Sequence, residues 1–295
     1  MTTPEPTLAP AAAIHDLGYR RYDGPRGGAR AARRALFAQG LRALFGIGRP
    51  ARAKAIPVFV LVVTLLPALG ILAAASASRG QIPVRYANFI GAQLILFALF
   101  GAAQAPELLC GDRQHRLLPL LLTRAMSQAE YALVRWLAIW TALLLVALAP
   151  LLLLYVGEIG IAKDPAATFR AMGTRIGPVL AHATLAAWVL AGLATLASTL
   201  TPRRAYATAL TIGVLLVLAA VAAGLGDLSG IPEAVPELLD PMRALRTLAA
   251  RLFDEPTRGM EVSPPPPIPV FVGTLLAIGT ICLGVAWTRL RRVIP

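Results

Sequence analysis

Six long apolar blocks, residues 56–77, 87–105, 132–156, 176–200, 205–225 and 268–288, constrain this chain more than any other feature. A helix needs about 20 apolar residues to cross roughly 30 Å of hydrocarbon, and each block has that length. Strands of a membrane barrel would be shorter and would alternate apolar with polar residues. The blocks therefore predict an all-α membrane protein, a bundle of six transmembrane helices. With 57% hydrophobic and 15% charged residues among 295, the chain lies outside the composition of a soluble globular domain. The first block stands behind a polar, arginine-rich tail, a pattern unlike a cleavable signal peptide, so the tail is expected in the mature protein.

The net charge of +13 would suit a nucleic-acid binder if it formed one surface, but its distribution follows the blocks instead. Arginines crowd the tail before the first block, Arg203 and Arg204 fill the short fourth loop, and Arg289, Arg291 and Arg292 follow the sixth block. The fifth loop, 226–267, is acidic. Because short flanks on the cytoplasmic side are basic, both termini and the second and fourth loops are expected inside, with no nucleic-acid partner. The division is a cytoplasmic tail, 1–55, and a six-helix transmembrane domain, 56–295, with a cytoplasmic loop at 106–130 and an extracytoplasmic loop at 226–267.

Within the tail, "ARAARRALFAQGLRALFGI" places Leu36, Phe37, Leu41, Leu44 and Phe45 on one helical side, with Arg30, Arg33, Arg34 and Arg42 mostly on the other. This spacing predicts an amphipathic helix lying in the membrane interface, its arginines against anionic lipid headgroups. In the fifth loop, "DPMRALRTLAARLF" predicts a short helix begun by Asp240 and Pro241, either folded on the bundle as a cap or carried by a solvated loop. Ala183, Ala187, Ala191, Thr195 and Thr199 recur at every fourth position, a smooth stripe suited to close packing within one subunit or to a seam between two.

The blocks hold little chemistry. They are read as free of Asp, Glu, Lys and Arg, which predicts an interior without the buried charges of ion-coupled carriers. His182 is expected to bond a neighbouring helix. No H-E-x-x-H pattern is present, and Ser198 lies about four turns from His182, too far for a nucleophile and base pair along one helix. Cys110 and Cys282 form no disulfide framework or metal spacing and read as small packing residues.

The second loop and its continuation, "PELLCGDRQHRLLPLLLTRAMSQAEYALVRW", spend about 25 residues where a few would connect two helices. Glu107, Asp112, Arg113, Arg116, Arg124 and Glu130 are available there for a protein partner. The pattern resembles the permease subunits of type-2 ABC exporters. The acidic positions match at Glu107 and Asp112, a leucine run at Leu117 to Leu122, a polar-basic step at Thr123 and Arg124, and a helix start at Glu130 and Tyr131. Ala125 and Gln128 depart from the proline and the basic residue common at their places. The opening "HDLGYRRYDGPR", residues 15–26, also resembles the tail of one bacterial subgroup of these permeases.

The resemblance implies a transmembrane permease in the bacterial cytoplasmic membrane, exporting a lipidic, amphipathic or hydrophobic substrate. This chain has no P-loop, so ATP and Mg²⁺ would belong to a separate ABC ATPase subunit and no cofactor to this chain. The second loop would dock on that ATPase, and Asp16, Tyr19, Arg20, Tyr22, Asp23 and Arg26 would dock beside it or lock the tail helix. Six crossings would make half a pore, so a second copy or a paralogue is expected, surrounded by membrane lipids. Two other readings of the residues remain: a membrane-embedded enzyme, and a non-transporting anchor for a cytoplasmic complex.

Overall fold

The computed structural model describes residues 24, 27–78, 83–114, 126–228, 230–232, 234–255 and 266–293, with residues 292 and 293 described by backbone alone. Among these residues the regular structure is helical throughout, with no strand. Helix α1 is Gly28–Leu44, α2 Ala51–Ala77, α3 Tyr86–Gln114 and α4 Gln128–Ile161. A short α5, Pro165–Met172, turns through Gly173–Arg175 into α6, Ile176–Leu200; α7 is Arg204–Gly226. Two small helices, α8 Ala234–Leu239 and α9 Pro241–Phe253, precede α10, Ile268–Val293. Six of these helices, α2, α3, α4, α6 (continuous with α5), α7 and α10, are long and apolar enough to cross a membrane, and they contain the six expected blocks. The chain is a multi-pass helical membrane protein.

Helices α3 and α6 bury most of their apolar length and α4 half of it, whereas α2, α7 and α10 leave most of theirs exposed around the outside. The reason is the small-residue stripe on α6. Ala183, Ala187, Ala191, Thr195 and Thr199 are all buried within this one chain, and α6 packs against α3, α4, α7 and α10. Without a hydrophobic drive between helices in lipid, such smooth faces gain contact by letting backbones come close. The stripe is thus occupied by the chain's own helices.

Helix α3 continues past the expected boundary at residue 106, through Pro106 to Gln114. Proline normally costs a helix one hydrogen bond, because it cannot donate to the carbonyl four residues back. Here the Thr208 hydroxyl of α7 donates to that carbonyl, on Ala102, at 2.9 Å. The helix survives its proline through a neighbour's side chain, and Glu107, Asp112 and Arg113 stand on its last turns rather than in a connector. On the far side of the loop, Ser127 and Glu130 form a reciprocal capping box that starts α4.

At the other end of the bundle, Asp240 caps α9 by accepting from the Met242 N–H at 2.9 Å, with Pro241 in the first turn as expected. Helix α9 buries Met242, Leu245, Leu248 and Ala249 on the bundle, so this part of the fifth loop is a folded cap. His182 bonds the Leu245 carbonyl at 3.0 Å, which requires the proton on Nε2, since a carbonyl only accepts. Asp254 ends α9 in the left-handed region at φ 53°. The next residue, Glu255, accepts from the Tyr86 and Ala87 N–H groups, both at 2.9 Å, and thereby caps α3 from 169 positions along the chain. Glu255→Ala should destabilise the protein by about 1 kcal/mol, the usual cost of a lost N-terminal cap. Unfolding midpoints in detergent would measure it, and Glu255→Gln should recover only part of the loss.

Candidate functional site

The described charged residues nearest the loop after α3 form a junction where α1, α3, α4 and α7 meet. Its centre is a buried ion pair. Arg135 on α4 reaches Asp112 on α3 at 2.7 Å, with side-chain exposures of 2% and 7%. The Tyr131 hydroxyl donates to the same Asp112 oxygen at 2.7 Å. The other Arg135 arm donates to the Gln39 side chain of α1 at 2.7 Å and approaches the Leu36 carbonyl at 3.5 Å. Charges taken out of water need partners on every side. Asp112 has an arginine and a phenol; Arg135 has a carboxylate, an amide and a carbonyl, while its Nε–H meets no acceptor among the described residues.

Glycine makes this arrangement fit. A Cβ on Gly40 would lie 3.1 Å from the Ala138 Cβ and 3.2 Å from Arg135 Nη1, so its absence lets α1 settle on α4. Around the contact, Leu36, Met126, Tyr131 and Val134 form a small apolar cluster, while Ala43 and Leu44 join the main core. The apolar side of α1 is therefore spent on the chain's own bundle. Arg30, Arg34 and Arg42 are exposed on the helix.

A second, half-exposed tier of charge surrounds the buried pair. Glu107 pairs with Arg49 at 2.6 Å, just before α2, and with Arg204 at the start of α7. Glu130 pairs with Arg33 of α1 at 3.2 Å. Arg113 donates to the Thr199 carbonyl at 3.1 Å, and Gln114 to the Pro202 carbonyl at 2.9 Å. Cys110 adds weak S–H contacts to the Ser198 and Thr201 carbonyls. Cys110 and Arg113 thus reach carbonyls in the last turn of α6, Gln114 reaches one just beyond it, and the Arg113 cation suits the negative end of the helix dipole.

Of the residues expected to meet a partner, the structure brings Glu107, Asp112, Arg113 and Glu130 together, each engaged within the chain. Arg116 and Arg124, and all of Asp16, Tyr19, Arg20, Tyr22, Asp23 and Arg26, lie outside the described residues. Arg135 lies within the third block, which the sequence reading took as uncharged, and the expectation of an interior free of buried charge fails there. The signal was present: a charge within an apolar block is costly and normally has a partner, and Asp112 is the acid on the opposite side of the same loop. Gln39 carried no such signal, because its role depends on where α1 lands.

In the junction the hydroxyl beside a carboxylate is that of Tyr131 on Asp112, buried together with Arg135. Among the described residues, no three His, Cys, Asp or Glu side chains gather as metal ligands. The contacts of the junction fasten four helices around the two ends of the segment 115–125. Comparison with family models and with curated proteins finds no match to this chain.

Proposed function

We propose that this chain is the transmembrane permease subunit of an ABC exporter, powered by a separate ATPase. The observation that supports this reading best is the junction at the ends of segment 115–125. That segment leaves α3 and rejoins the chain just before α4, and α3 and α4 are joined by Asp112 and Arg135. Gln39 ties in α1, and Glu107 ties in Arg49 and α7 through Arg204. A push on the segment is delivered to four helices at once, which is what a loop coupled to nucleotide-driven closure must do.

The basic end carrying α1, Arg203 and Arg204 faces the cytoplasm, in keeping with the rule for positive flanks. In this reading α1 rests its apolar side on the bundle and turns the exposed Arg30, Arg34 and Arg42 toward anionic headgroups. The exposed apolar faces of α2, α7 and α10 leave room for a second copy or a paralogue as well as for lipid. The cargo is lipidic, amphipathic or hydrophobic.

Charge reversal of the loop tests the coupling. With the Arg116→Glu, Arg124→Glu double variant, an ATPase co-purified in mild detergent should still hydrolyse ATP while transport in vesicles falls at least tenfold. Undiminished transport would reject the loop as the contact, and repeated purification without any P-loop protein would reject the ATPase itself. Asp112 is unsuitable for this test, because its reversal would break the internal pair.

A further inference from the structure

At the end of the bundle opposite the junction, α5 is surplus to the crossing that follows it. Helix α6 alone has 25 residues, roughly 38 Å of helix, which already exceeds the roughly 30 Å of hydrocarbon to be spanned. The turn Gly173–Arg175 sets α5 off from α6, yet α5 does not stand away from the bundle. The Tyr155 hydroxyl of α4 approaches the Met172 carbonyl at 3.5 Å, and Arg175 meets Glu158 of α4 at 3.8 Å. Helix α5 is thereby held beside the last turns of α4, at the level where the apolar span gives way to charged residues.

Only Met172 of α5 is buried, and the Phe169 ring is 58% exposed. The charges around it are unbalanced. Both acids of segment 157–175 are already engaged: Asp164 accepts from the Ala166 and Ala167 N–H groups at 3.1 and 3.0 Å and so caps the helix, while Glu158 accepts from the Tyr86 hydroxyl at 3.0 Å and faces Arg175. Lys163 and Arg170 are exposed and form no ion pair among the described residues. Two uncompensated cations therefore flank an exposed phenylalanine, at the end of the bundle away from the basic flanks.

Helical side chains turn by about 100° per residue. With Met172 against the bundle, Phe169 and Ala166 share one flank of α5, Arg170 points outward, and Ala167 and Ala171 lie on the flank opposite Phe169. We propose that α5 lies in the headgroup layer of the adjoining leaflet, with Phe169 inserted beneath it and Lys163 and Arg170 on the phosphates of anionic phospholipid. An aromatic ring reaches the acyl boundary from such a helix, and long basic side chains bury their stems while their charges stay at the headgroups. Each basic side chain near an anionic surface enriches anionic lipid about fivefold. The contact needs only a bilayer and is independent of any ATPase, so its failure and that of the exporter reading are separate results.

The test uses the full-length Phe169→Cys protein carrying a fluorophore, in vesicles of equal parts phosphatidylcholine and phosphatidylglycerol. Cys110 and Cys282 are buried and stay unlabelled in the folded protein. Brominated phosphatidylglycerol should quench the fluorophore with an apparent association constant about fivefold or more above that of brominated phosphatidylcholine. Aqueous iodide should quench it several-fold less than the same fluorophore on the Ala171→Cys protein. Adding Lys163→Gln and Arg170→Gln should bring the two lipids to parity while quenching by brominated phosphatidylcholine persists, which also shows that the variant is folded. Ala166→Cys, on the same flank, repeats the measurement with Phe169 in place. Iodide quenching at positions 166 and 169 as strong as at 171 would put this flank in water and overturn the proposal, leaving a soluble protein as its partner. Equal quenching by the two lipids with Lys163 and Arg170 intact, or a preference that survives their removal, would overturn it too.

Discussion

Replacing Arg135 by methionine, with Asp112 left in place, should lower stability by about 3–5 kcal/mol, the cost of stranding one partner of a buried ion pair. Asp112 is 5% exposed as a residue and would keep only the Tyr131 hydroxyl. Loss of the Gln39 and Leu36 contacts should also free α1, so that trypsin cuts at Arg33 and Arg34 sooner than in the unaltered protein. The companion experiment is the double variant Asp112→Leu, Arg135→Met. Removing both charges removes both desolvation costs, and apolar replacements of similar volume are often neutral. Most of the stability should therefore return, although the tether to Gln39 does not. Denaturation midpoints of the full chain in detergent decide the matter: a double variant no more stable than Arg135→Met would mean that the pair is not the clamp.

Gly192→Ala should cost about 1–3 kcal/mol, the typical penalty for overpacking, despite being a change of one methyl group. The added Cβ would lie 2.9 Å from the Gly279 carbonyl oxygen and 3.1 Å from its Cα, both backbone atoms of α10. A flexible side chain could swing aside; a helix backbone cannot, so α6 and α10 would have to separate. From the other side, a Cβ on Gly279 would strike the Trp188 ring. That ring donates to the Leu276 carbonyl at 3.3 Å and meets Trp136 edge-on at 4.8 Å, so its displacement would spread into α4. The internal comparison is Gly273→Ala on the same α10, where nothing lies within 4 Å of the new atom. There the gain in helix propensity should leave stability equal or slightly higher. Equal behaviour of Gly192→Ala and Gly273→Ala would refute the close crossing.

The crossings were readable because each must meet the bilayer by its own length and polarity. The fifth block, 205–225, became Arg204–Gly226, and the fourth, 176–200, became Ile176–Leu200. Asp240 with Pro241 marked the start of α9 for an equally local reason: a cap acts on N–H groups two or three residues away. His182 as a bond between helices followed from its isolation in an apolar block, though not the choice of Leu245 as its partner. The small-residue stripe indicated a close contact, and the structure locates it within the chain.

Other features depended on residues far apart. The end of α3 was misplaced at Pro106 because proline is a local stop signal, while the hydroxyl that cancels it, on Thr208, lies 106 positions away at the Ala102 carbonyl. The acid at Asp112 looked like an exposed handle until Arg135 and Tyr131 were brought around it. Glu255 gave no hint that it caps α3.

Solvent, acting on each stretch of chain separately, made the six apolar crossings inevitable from their residues, and local capping chemistry did the same for the start of α9. Which carboxylates are internal, which proline is tolerated and where an acceptor such as Gln93 Oε1 goes without a donor followed from packing alone, because a buried polar group has meaning only in relation to the distant segment placed beside it.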